Sequence, residues 1–142
     1  MDRVLFLDAD ADSRELYAEF FRFLGYGVRT CDNADDAEQV VREADVLVTG
    51  IGLAGRMDGV EFVRALRQRP ATCALPIVVV SAHVRESDRE RARRAGCDLF
   101  LPKPCLPEQL VDGVRHVRRS RSGGSAAQPR QGRCWRDVDE TS

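Results

Sequence analysis

Pro76-Ile77-Val78-Val79-Val80-Ser81 is the least ambiguous segment of the chain. A proline opens it, four β-branched residues follow without a polar break, and a hydroxyl ends it, which is the composition of a strand. Every position is apolar, rather than every second one, so the strand must be covered on both faces, as in a parallel sheet. Outward from it, Val4-Leu5-Phe6-Leu7, Val46-Leu47-Val48 and Leu99-Phe100-Leu101 read the same way, and Val28 to Cys31 gives a further short strand.

Helical patterns fill the intervals. Asp12, with Glu15 three residues on, is positioned to cap a first helix in which Leu16, Phe20, Phe23 and Leu24 recur at helical spacing before Gly25. Asn33 caps a second helix that turns Ala37, Val40, Val41 and Ala44 inward. Val60, Phe62, Val63 and Leu66 mark a third, after Gly59. Arg85 to Ala95 has helical propensity but few apolar residues; Arg85, Arg89 and Arg93 make a charged stripe, Glu90 precedes Arg94 by four, and Gly96 is the stop. Pro107 opens the last helix, with Leu110, Val114 and Val117 on one side. Five strands alternating with five helices predict an α/β fold: a parallel sheet, right-handed crossovers and helices on both faces. Its functional cleft belongs at the carboxyl ends of the strands, hence at Asp8, Gly50, Ser81 and Lys103.

Composition sets the bounds. With 142 residues, 43% hydrophobic and 32% charged, the chain has the size of one domain. No apolar run approaches the roughly 18 residues of a membrane helix, and Met1-Asp2-Arg3 leads straight into the first strand without a signal-peptide layout, which reads as cytoplasmic. Five cysteines form no C-x-x-C pair and have no histidine at ligand spacing, so they read as reduced thiols, not a metal site. The net charge of −1 conceals an acidic body and a basic end, since residues 118–142 carry six Arg against three acids. Residues 120–142 concentrate Gly, Ser, Gln and Pro without periodicity and are expected to be a disordered tail on a domain of residues 1–119. Its acids and single aromatic, Trp135, argue against nucleic-acid binding.

The strand ends carry the chemistry. Asp8-Ala9-Asp10 offers carboxylates of the kind that hold Mg²⁺, although acids here also suit helix capping. Ser81 supplies a hydroxyl able to donate to a phosphoryl oxygen. Lys103 is the only lysine among 22 basic residues, and a compact ammonium kept in an arginine-rich chain suits a phosphoryl group or carboxylate in a tight cleft.

Val4-Leu5-Phe6-Leu7-Asp8, the loop Met57-Asp58-Gly59-Val60-Glu61, Pro76 to His83, Ala95-Gly96-Cys97-Asp98-Leu99-Phe100 and Lys103-Pro104 together resemble the receiver domain of bacterial response regulators, the CheY-like superfamily, over residues 3 to about 117. The resemblance implies a flavodoxin-like sheet ordered 2-1-3-4-5, a cis bond before Pro104, and a two-component or phosphorelay signalling role. It makes Ser81 the switch hydroxyl, Phe100 the switch aromatic and Lys103 the phosphate-contacting lysine. It also puts Gly50 where the phosphoacceptor aspartate belongs and Ala9 where the direct metal ligand belongs, leaving Asp8 and Asp10 as remnants of the acidic pocket.

The expectation is therefore a degenerate, non-catalytic receiver that is not phosphorylated and acts by protein contact, with no cofactor, Asp8 alone to offer a metal, and Lys103 turned to Asp8 for its counter-charge. Its partner, a sensor kinase, an effector or a second copy, is expected on helix four, strand five and helix five, where Arg85, Arg89, Arg93, Arg94, Asp98 and Phe100 lie; membrane and nucleic acid are not expected. The alternative is a phosphoacceptor or phosphatase using Asp8, because Asp8-Ala9-Asp10, Ser81 and Lys103 also resemble the motifs of haloacid-dehalogenase-type phosphatases. That family requires a further acidic pair after the lysine, where this chain has separated Glu108 and Asp112.

Overall fold

The computed structural model describes residues 2–125. The strands are β1 (Arg3–Leu7), β2 (Gly27–Cys31), β3 (Val46–Thr49), β4 (Ile77–Ser81) and β5 (Leu99–Pro102); the helices are α1 (Ala11–Phe23), α2 (Ala34–Val40), α3 (Gly59–Arg67), α4 (Glu86–Ala95) and α5 (Pro107–Ser125). All strands pair in parallel, in the order β2-β1-β3-β4-β5.

Strand alternation divides the core in two. Leu5, Leu7, Leu47, Ile77 and Val79 meet Ala37 and Val41, then Val60, Phe62, Val63 and Leu66 of α3 and Ala92 and Ala95 of α4. Val4, Phe6, Val46, Val48, Val78 and Val80 meet Tyr17, Ala18 and Phe21 of α1 and Leu110, Val111, Val114 and Val117 of α5. β1, β3 and β4 are almost wholly apolar because both their faces are covered, whereas the edge strand β2, with Arg29 and Thr30, is only partly buried.

Three readings of the sequence are corrected. Leu16, Phe23 and Leu24 do not face the core; they are 56%, 84% and 37% exposed, while Tyr17, Ala18 and Phe21 point inward. Two apolar stripes share α1, and periodicity does not say which one the sheet takes. The cap of α1 is Asp10, whose side chain accepts from the backbone of Asp12 and Ser13, not Asp12. The second helix ends at Val40 and tightens into a 3-10 turn over Val41–Glu43.

The last helix runs past the boundary expected at residue 119 as far as Ser125; the remainder of the expected tail lies outside the described residues. Among the described residues, no helix is long and apolar enough to cross a membrane. Gly96 takes φ +111 at the end of α4, a left-handed conformation that favours glycine.

Candidate functional site at the carboxyl ends of the strands

The central strands end side by side, which fixes the floor of the cleft. The Gly50 N–H donates to Leu7 O at 2.8 Å, the Asp8 N–H to Cys31 O at 3.1 Å and the Ala9 N–H to Gly52 O at 3.1 Å, so the loops after β1, β2 and β3 are tied together. The Lys103 N–H donates to Ser81 O at 2.9 Å, bringing the end of β5 to the end of β4. The Lys103-Pro104 bond is cis.

Asp8 and Lys103 meet across this floor. Lys103 Nζ donates to Asp8 Oδ2 at 2.9 Å, with the side chains 16% and 15% exposed. The other Asp8 oxygen accepts the Asp10 N–H at 3.0 Å, and Arg14 Nη1 donates to the Asp8 carbonyl at 2.7 Å. Asp10 stands 3.8 Å from the ammonium but is occupied with α1: Ser13 Oγ donates to its Oδ2 at 2.9 Å, and its Oδ1 accepts the Asp12 N–H. The Ser13 hydroxyl, helped by the Ser13 N–H, holds the Asp10 carboxyl below its ordinary range.

Gly50 is buried beneath this pair. A Cβ there would come within 2.9 Å of Asp8 Cγ and Oδ2 and 3.0 Å of Oδ1, so the carboxylate of Asp8 fills the space a side chain on residue 50 would need. Ser81 is 2% exposed, and its Oγ accepts the His83 N–H at 2.9 Å.

Two neighbours complete the floor: Thr49, which escaped the sequence reading, and Gly59, whose role there also escaped it. Fully buried Thr49 donates through Oγ1 to Gly50 O at 2.9 Å. Gly59 is obligatory, because a Cβ would lie 1.8 Å from that same oxygen. Asp58 before it forms a capping box with Glu61 and pairs with Arg91 of α4 at 2.7 Å. The motif Asp58-Gly59-x-Glu61 carried that cap signal in plain sight.

Among the described residues, no three His, Cys, Asp or Glu side chains come together as a metal site. The Asp8 oxygens already accept from Lys103 and the Asp10 N–H, a poor start for an octahedral oxygen set.

On α4 and β5, the Arg89 guanidinium lies 5.1 Å from the centroid of the half-buried Phe100 ring. Arg93 and Arg94 both pair with Glu90, whose carboxyl they hold below its usual range. Arg85 is exposed at the start of α4. Asp98, expected on the partner surface, is tied into the fold. Its Oδ2 accepts from Ile77 N–H at 2.8 Å and Arg67 Nη2 at 3.0 Å, and its Oδ1 from Arg121 Nε and Nη2 at 2.9 and 2.8 Å. Arg67 also donates to the carbonyls of Gly96, Cys73 and Leu75. A two-oxygen carboxylate flanked by two guanidiniums is a structural knot joining α3, β4, β5 and α5.

The comparisons with known proteins agree with this architecture. The family model described as the response regulator receiver domain matches residues 4–115. The response regulator MprA of Mycobacterium leprae is 34% identical over 128 residues, covering 89% of this chain and 55% of that protein. The phosphate regulon transcriptional regulatory protein PhoB of Pseudomonas aeruginosa is 27% identical over 128 residues, covering 89% and 56%. The chain thus spans about half the length of these two relatives. The solved chemotaxis protein CheY4 of Vibrio cholerae superposes with a TM-score of 0.75 at 25% identity, over 82% of this chain and 98% of that one. The chain belongs to the response regulator receiver domain family: it is a two-component signalling module, and nothing shows a catalytic activity. The phosphatase-type alternative is not favoured.

Proposed function

We propose that this receiver signals without aspartyl phosphorylation, by protein contact alone. The observation that carries the proposal is at Gly50: the residue that follows β3 has no carboxylate, and the space above it is filled by Asp8, held there by Lys103. In the family's chemistry the lysine contacts a phosphoryl group; here the Asp8 carboxylate already stands 2.9 Å away. Ala9 and Gly50 together remove two of the carboxylates that would hold Mg²⁺, so the cleft is not expected to take the metal. The module is read as residues 1–119, acting in the cytoplasm as response regulators typically do.

Receiver domains interact with proteins such as kinases and effector domains, and the proposed contact surface is α4, β5 and α5. Arg85, Arg89, Arg93 and Arg94 make it cationic, with the Phe100 ring beneath Arg89 as its apolar element, a combination suited to a partner carrying acids around an apolar anchor. Beryllofluoride with Mg²⁺, a mimic of the phosphorylated state, gives the test. The amide spectrum of α4, β5 and α5 is expected to stay unchanged; shifts at Ser81, Phe100 and Lys103 would overturn the reading.

A further inference from the structure

Among the described residues, no element packs on the outward stripe of α1. Leu16 and Phe23 are 56% and 84% exposed along one face, Leu24 adjoins them, and Phe20 lies between them half-buried, one side against the core that Tyr17, Ala18 and Phe21 fill and the other at the edge of the stripe. Exposed acids border it, with Asp12 and Glu19 on the same side and Glu15 next to them in an ion pair with Arg14 at 3.8 Å; Arg22 lies near its far end. The surface asks for an aromatic anchor flanked by positive charge.

The chain holds such a segment. Residues 130–136 read Arg-Gln-Gly-Arg-Cys-Trp-Arg, three guanidiniums around the only tryptophan of the protein. The two are within reach. α1 and α5 pack side by side on one face of the sheet and both run away from the cleft; Arg118 of α5 pairs with Asp2 at 3.0 Å, just before β1, and Phe23 ends α1 just before the Gly27 that pairs with Arg3. Ser125 therefore lies at the same end of the molecule as Phe23. The ten residues from Ser125 to Trp135 span up to about 33 Å when extended, against helices spaced by about 8–10 Å. A tether that short supplies an effective local concentration on the order of millimolar, so even a weak contact is populated.

We propose that residues 130–138 dock on the outward face of α1 of their own chain, with Trp135 against Leu16, Phe20 and Phe23 and the arginines toward Asp12, Glu15 and Glu19. This goes beyond the proposed function, since it gives the basic end of the chain a seat on the receiver.

Trp135, being unique, reports on itself. In the full chain its emission is expected to be blue-shifted, and its quenching by acrylamide several-fold weaker, than in a peptide of residues 126–142. Phe23→Ser and Leu16→Ser, at exposed positions, should each return both readings to the peptide's values with the thermal midpoint unchanged. Reversing Arg130, Arg133 and Arg136 to Glu should raise quenching in the same direction. Identical spectra for chain and peptide would overturn the proposal, as would a blue shift that survives Phe23→Ser. A blue shift that disappears on dilution would overturn it too, by assigning the face to a second copy.

Discussion

The carboxylate of Asp8 stands where a side chain on residue 50 would have to be: a Cβ on Gly50 would meet Asp8 Cγ and Oδ2 at 2.9 Å. Asp8 is held in that position by Lys103 at 2.9 Å and by the Asp10 N–H at 3.0 Å. Glycine at 50 and the Asp8–Lys103 pair are therefore one arrangement, since either a larger residue 50 or a differently placed Asp8 would undo it.

Gly50→Ala should destabilise the protein by about 1–3 kcal/mol, the usual cost of forcing an atom into a filled site, because the methyl must push Asp8 off Lys103. In an Asp8→Ala background the same substitution should be nearly neutral. Urea denaturation of the four proteins measures the coupling, and equal costs in both backgrounds would count against it.

Lys103→Ala and Asp8→Ala should each cost on the order of 2–4 kcal/mol, because each strands the other charge in a poorly solvated cleft. The double mutant should be no worse than either single. A lysine at an exposed surface site would give small, additive effects, and that pattern would remove the pair from the account.

Asp10→Ala should cost about 1 kcal/mol through loss of the α1 cap, whereas Asp10→Asn should retain most of the stability. The native Asp10 carboxyl titrates below its ordinary value. Its contribution is therefore complete above the unfolded-state pKa, about 3.9, and is lost as pH falls through the lower native value. Thermal midpoints should show the wild-type advantage over Asp10→Ala flat from neutral pH to about 5 and closing below 4; an advantage that grew on acidification would have the wrong sign.

How much of this was legible in the sequence follows from which residues speak for themselves. The strands were plain because Ile77 to Val80 and Val4 to Leu7 are buried on both faces and carry no polar interruption. The cleft was legible because strand ends in such a sheet converge, so Asp8, Ser81 and Lys103 were found together before any distance was known. The face of α1 was misread in part: Phe20 packs on the core as expected, but Leu16, Phe23 and Leu24 are as apolar as Tyr17, Ala18 and Phe21, and only the packing chose between them. The role of Asp98 was hidden because its partners, Arg67 and Arg121, lie 31 and 23 residues away, beyond any local pattern. Thr49 gave no signal, since a threonine in a strand is ordinary.

Placing acids at both positions, Ala9→Asp with Gly50→Asp, should create a Mg²⁺ site by adding two carboxylates beside Asp8. Without metal the double variant should be less stable than the wild type, from like-charge repulsion; millimolar Mg²⁺ should raise its thermal midpoint through binding to the folded state alone. Wild type and either single variant should show little response. A comparable rise in the wild type would mean the cleft already holds the metal.

The most direct measurement is intact mass and peptide mapping after incubation with a small acyl-phosphate donor and Mg²⁺, beside a receiver that carries the acceptor aspartate. The account predicts no phosphoryl adduct on this chain under conditions that label the control to completion. A phosphorylated carboxylate in the cleft, at Asp8 above all, would contradict it.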